Sequence, residues 1–169
     1  MPSVNSATAT NIVTIASIVK ATVSISRGDV VDRYLRGRRA GLVTYPSCLR
    51  ISAREPYWSD GSVSRHPAML ALITNSIGEP ISVHRTYLAA DGGKADLPVQ
   101  RKAVSSFGQG PTIRLAPVAP TMGIAEGIET ALSAKKLFGV PTWSVLSDYG
   151  MVIRAAARSK TSDHLRRSR

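Results

Sequence analysis

Residues 122–146, MGIAEGIETALSAKKLFGVPTWSVL, constrain the fold more than any other stretch of this chain. Met122, Ile124 and Ala125 make a short apolar run that stops at Glu126-Gly127. A helical period follows, with Ile128, Ala131, Leu132 and the aliphatic stem of Lys135 on one face. Gly139 and Pro141 close that helix, because glycine accepts the left-handed cap and proline cannot continue the turn. Residues 142–146 are then rich in strand formers. Two strands joined by one helix predict a right-handed βαβ unit with parallel strands. Glu126 then stands at the carboxyl end of its strand, the edge where ligands of open α/β sheets bind, and Gly127 leaves room for a close approach to it. Glu129 lies in the first helical turn, where its charge suits the dipole. Spacing alone reads both acids equally well as helix-start residues.

Upstream, the pattern predicts hairpins. Residues 26–29 read as a helix start, with Ser26 as cap and Asp29 three residues on. Val30, Val31, Tyr34 and Leu35 give that helix an apolar face, while Arg33, Arg36, Arg38 and Arg39 project elsewhere, as phosphate contacts or as a solvated face, up to a stop at Gly41. Residues 46–52 read as a short strand, and residues 53–67, with two prolines and a glycine, as a loop. In that loop Tyr57 and Trp58 are expected to cover the rim of a small core rather than to stack on bases. Residues 68–74 and 80–88 form the clearest strand pair, around a turn at 75–79. Alternation puts Ile81, Val83, Arg85 and Tyr87 on one face of the return strand and Ser82, His84, Thr86 and Leu88 on the other. His84 is read as structural. Residues 100–102 fall in a polar connection, and residues 107–110 have the spacing of a loose phosphate-cradling turn without the Lys-Ser/Thr of a P-loop. Residues 112–116 read as another strand, and Pro117 and Pro120 mark a boundary.

The chain divides on this reading into a lead-in (1–26), an α+β region (27–118), the βαβ unit (119–150) and a basic tail (151–169). The lead-in carries an apolar stretch at 12–25 whose period suits a helix or a strand. With Lys20 inside it and only fourteen residues, it is too short to cross a bilayer, so no membrane role is expected. Cys48 is the only cysteine, which excludes an internal disulfide framework or a cysteine zinc site and suits a cytoplasmic setting. The 22 Lys+Arg against 11 Asp+Glu leave a net charge of +11, a balance that favours nucleic acid as partner. Single-stranded DNA is the form of that partner expected.

The run Ala-Glu-Gly-Ile-Glu-Thr-Ala-Leu at 125–132 resembles the glutamate motif of Toprim domains, in particular that of phage- and plasmid-type primase-like proteins. The resemblance extends upstream through Asp32-Arg33-Tyr34-Leu35, Pro67-Ala68-Met69, His84-Arg85-Thr86-Tyr87-Leu88, Lys102 and Ile113-Arg114-Leu115, and covers about residues 28 to 150. It implies an α/β (α+β) fold, an antiparallel hairpin region followed by a partial Toprim-like βαβ unit. It implies Glu126 as the catalytic glutamate of Mg²⁺-dependent nucleotidyl transfer, with Glu126 and Glu129 at the metal. Arg85 and Lys102, together with Arg33 and Arg36 of the basic helix, become candidates for contacting nucleic acid, and other replication proteins of a mobile element become candidate partners. Two features depart from the family pattern. There is no Cys-rich zinc segment, and the later Asp-x-Asp pair is missing, leaving Asp148, the one acid expected at the second strand's end, as the third candidate metal ligand and a partial substitute for that pair. The metal site is therefore expected to be weak or incomplete, as in a Toprim unit cut short, and the chain inactive alone. A non-catalytic basic nucleic-acid-binding module is the alternative.

Overall fold

The computed structural model describes residues 6–105 and 110–146. In chain order its elements are α1 (Ser6–Lys20), β1 (Val23–Ser24), α2 (Val30–Gly37), β2 (Leu49–Ser59), β3 (Ser62–Thr74), β4 (Pro80–Tyr87), β5 (Arg101–Ala103), β6 (Thr112–Ile113), β7 (Gly123–Ala125), α3 (Ile128–Phe138) and β8 (Thr142–Val145). The class is α+β, as expected: the described strands form one mostly antiparallel eight-stranded sheet.

The longest departure from the sequence reading falls at residues 53–67. These are not a loop but the outer half of a β2–β3 hairpin, in which Trp58 pairs with Val63 and Ser59 with Ser62. Asp60 and Gly61, at φ 50° and 73°, make the two-residue left-handed turn that matches the twist of the strands. The two prolines that suggested a loop occupy positions a sheet tolerates. Pro56 lies on the outer edge of β2 beyond the reach of β1, and Pro67 sits beside the bulge between Ser52 and Glu55.

Strand alternation sorts the core into two layers. Tyr57, Ala68, Leu70, Val83 and Tyr87 pack with Ile15 of α1 on one face. Leu49, Met69, Ala71, Ile73 and Leu88 pack on the other with Val31, Tyr34 and Leu35 of α2 and Ile128, Ala131 and Leu132 of α3. The alternation expected for β4 holds from Val83 onward, with Val83 and Tyr87 on the first face and Leu88 on the second, but Ile81, at the register shift opposite Ile73 and Thr74, packs with the second face instead of the first. The lead-in resolves as a helix followed by a two-residue strand.

Two helix boundaries shift. The cap of α2 is Asp29, whose carboxylate accepts from the Asp32 amide at 2.8 Å, while Ser26 donates its own amide to Asp29. The helix ends at Gly37, four residues before the expected stop, and Arg39 turns left-handed at φ 61°. In α3 the expected ending is realised: Gly139 caps it at φ 69°, and its amide bonds the Lys135 carbonyl.

The βαβ unit is joined to the hairpins through β6. Thr74 of β3 pairs with Pro80 of β4 and also with Thr112, so β6 continues the line of β2 along the opposite edge of β3. β8 runs antiparallel to β6 and parallel to β7. Gly123 permits that last contact, since a Cβ there would lie 2.5 Å from Thr142 Oγ1.

Candidate functional site

A cleft of about 690 Å³ opens between β4–β5 and the start of α3, bordered by Arg38, His84, Arg101, Glu126, Glu129 and Thr130 among others. Register fixes its floor. His84 pairs with Ala103 and Thr86 with Arg101, so these four share the sheet face on which α2 and α3 pack. Arg38 enters from the end of α2, and Glu126 from the junction of β7 with α3.

Glu129 ties the walls together. Arg101 donates to its Oε1 at 2.7 Å, and the Tyr34 hydroxyl donates to the same oxygen, linking β5 and α2 to α3. Burial works to raise the Glu129 pKa, but the Tyr34 and Arg101 hydrogen bonds and the Arg101 charge outweigh it and hold the carboxyl below its ordinary range. Burial and then Glu129 push the Tyr34 hydroxyl up. Arg38 is exposed, with its guanidinium 5.7 Å from the Tyr34 ring centroid. The Lys94 ammonium is shifted down by burial and then by the charges of Arg101 and Arg38, against the opposing pull of Glu129. Burial, and then Arg101, bring the His84 imidazole down to about 4, so it is neutral at neutral pH. Its buried Nδ1 has no hydrogen-bond partner among the described residues.

The sequence-based candidates are distributed unevenly around this cleft. Glu126 is exposed at its mouth and makes no side-chain hydrogen bond or ion pair with the described residues, while its carbonyl accepts from the Ser144 hydroxyl at 3.4 Å. Gly127 caps α3 with extended backbone, and a Cβ there would meet Glu129 Oε2 at an ordinary 3.5 Å. Asp148, like the turn at 107–109 and the basic tail, lies outside the described residues.

Arg85 points to the opposite sheet face. Its Nε lies 2.6 Å from Glu55 Oε1, off the line a hydrogen bond needs, and both side chains are largely buried. Lys102 borders the cleft, but its ammonium sits 3.7 Å above the Tyr57 ring and donates to the Trp58 carbonyl at 2.9 Å. Arg33 donates to the carbonyls of Gly28 and Ala90. Arg36 holds both oxygens of buried Asp32, at 3.0 and 2.9 Å, and the Leu42 carbonyl. Burial would raise that Asp32 carboxyl, yet the hydrogen bonds from Arg36, Tyr45 and the Gly28 amide hold it at about 2.

Of the four basic candidates, only Lys102 borders the cleft that Glu126 lines, and its ammonium is engaged by Tyr57 and Trp58. The lining also takes in Arg101, which the sequence places in a polar connection, and Arg38. The signal for Arg101 is strand parity: it stands opposite Thr86, on the His84 face, whereas its neighbour Lys102 stands opposite Arg85.

No group of three His, Cys, Asp or Glu side chains placed to hold a metal ion occurs among the described residues. Glu129 is neutralised by Arg101, so Glu126 is the uncommitted carboxylate at the cleft. One carboxylate falls short of a dedicated octahedral cage, and the donor set fits Mg²⁺ only as a partial site.

A family model described as a domain of unknown function (DUF7146) matches residues 9–115. The chain belongs to the DUF7146 family. The DUF7146 match runs from within α1 through β6 and takes in Arg38, His84 and Arg101, but it stops before the β7–α3–β8 unit that carries Glu126 and Glu129. No curated protein and no solved structure matches the chain. No described helix is long and apolar enough to cross a membrane.

Proposed function

We propose that this chain is a primase-like, nucleic-acid-associated protein of a mobile-element replication system, working in the cytoplasm with nucleic acid and other replication proteins, and that the cleft is where it meets phosphate. The observation that carries this reading is the presence of Arg38 and Arg101 on the lining of a large open cleft whose mouth bears Glu126. Concentrated positive charge attracts polyanions by releasing their counterions. The +11 balance of the chain favours the same partner. The likeness of residues 125–132 to the Toprim glutamate motif supports Glu126 as the acidic position of that chemistry, and its place at the end of a strand suits the role.

In this reading Arg38 and Arg101 neutralise phosphate. Mg²⁺ would bind weakly at Glu126 and supply charge neutralisation for nucleotidyl transfer. The alternative, a non-catalytic nucleic-acid-binding module, is favoured by one observation: Glu129 is already consumed by Arg101 and Tyr34.

Oligonucleotide binding across a salt series tests the assignment. Arg38 has no ion pair among the described residues, so Arg38→Ala is expected to flatten the slope of log K against log salt by about 0.7. Arg36→Ala, on the same helix but committed to Asp32, is expected to leave the slope unchanged. Equal slopes for the native chain and Arg38→Ala would remove the cleft from the reading. Template-directed incorporation with Mg²⁺ separates the two forms of it: synthesis that Glu126→Gln abolishes establishes the enzyme, and none from the native chain favours the module.

A further inference from the structure

We infer that the outer half of the β2–β3 hairpin is a stacking platform for an unpaired nucleic-acid base, with Trp58 as its surface. The inference rests on the nucleic-acid reading above and adds the strand form that the chain selects. Tyr57 and Trp58 are neighbours in sequence but opposite in fate. Tyr57 is 3% exposed and packed edge-on against Tyr87 at 5.1 Å, whereas Trp58 is 57% exposed. Its cross-strand partner Val63 is 52% exposed, so the two make an apolar surface that nothing among the described residues covers.

A lone exposed apolar side chain needs no explanation, but this pair sits on a stiff support. The reverse side of the hairpin is fixed by the Tyr57–Tyr87–His66 ring cluster, by the buried Arg85–Glu55 pair and by Lys102. The Lys102 ammonium lies over Tyr57 and holds the carbonyl of Trp58 itself, so β5 steadies the backbone that presents the indole. A large flat side chain on a rigid strand loses little freedom when a ring stacks on it.

Charge selects the occupant. Arg65 faces Pro56 across the hairpin, two residues from Val63, and so shares the face of Trp58. It is exposed and spends one N–H on the Arg54 carbonyl at 3.2 Å, leaving the rest of its guanidinium for a phosphate. Arg54 is exposed beside it, and Asp60 at the turn is the one exposed acid of the hairpin. Aromatic surface flanked by arginine is the chemistry of single-strand binding, in which each base offers a π-face and each backbone step a charge. Bases paired inside a duplex do not offer that face.

The test is fluorescence anisotropy of a labelled oligothymidylate and of a duplex of equal length, with the native chain, Trp58→Ala, Trp58→Phe and Arg65→Ala. Stacking predicts single-strand binding roughly tenfold weaker in Trp58→Ala and largely kept in Trp58→Phe. The salt slope stays as in the native chain, since stacking neutralises no phosphate, whereas Arg65→Ala lowers it by about 0.7. In a Trp143→Phe background the emission of Trp58 is quenched on single-strand binding. If the native chain binds the oligonucleotide and Trp58→Ala binds equally well, the platform falls and the wider reading stands. If the native chain binds no oligonucleotide, both fall. A dimer of the native chain that Trp58→Ala dissociates would reassign the patch to a second copy and overturn the platform.

Discussion

His84 gives the residue scale its clearest signature. In the unfolded chain its imidazole titrates near the ordinary 6.5, whereas in the folded chain burial and Arg101 hold it at about 4. Between those values the unfolded state binds a proton that the folded state refuses, so stability falls as pH drops through this window. The urea midpoint of the native chain is expected to decline from neutral pH toward pH 5, and His84→Gln to flatten that decline; matching profiles for the two chains would contradict it. The same scale shows what a sequence conceals. Arg101 and Lys102 are adjacent and chemically alike, and only the register of β5 on β4 sends one to Glu129 and the other to Tyr57. Nothing local to residues 100–102 encodes that choice, because it depends on which residues of β4 lie opposite.

At the scale of elements, α3 and its flanking strands were legible because their signals are local: an apolar stripe, a glycine cap, a run of strand formers. Leu132, read as the core-facing residue of that stripe, is 0% exposed. Leu132→Ala is expected to cost about 2–5 kcal/mol in urea unfolding, and a loss near zero would place the helix face wrongly. The β2–β3 hairpin is hidden in the sequence although Asp60-Gly61 is a strong turn signal, because Pro56 and Pro67 are loop signals whose tolerated positions are visible only once the sheet is assembled. Gly61 stands at φ 73° with open space where a Cβ would go. Gly61→Ala should therefore cost about 1 kcal/mol through the backbone alone, and Gly61→Asn, which tolerates the left-handed region, should cost less.

The whole molecule is bound by one sheet that crosses the sequence boundary at 118. The join is β6, two residues long and paired on both sides, and its partners come from segments far away in the chain. A pairing that short leaves no periodic trace, which is why the hairpin region and the βαβ unit read as separate pieces. A continuous sheet predicts one cooperative transition, so Val31→Ala in α2 and Leu132→Ala in α3 should both displace the same calorimetric peak, with two resolved peaks arguing against it.

The bridge from Glu129 to Arg101 also sets a limit on how strongly the cleft attracts anions. A phosphate arriving at Arg101 meets a rival carboxylate already in place, and its observed affinity is what remains after that exchange. Neutralising the rival should thus trade firmness for appetite: Glu129→Gln is expected to bind single strands more tightly, by up to roughly fivefold at low salt, while unfolding at lower urea. Unchanged affinity in that variant would mean that incoming phosphate never contests Arg101.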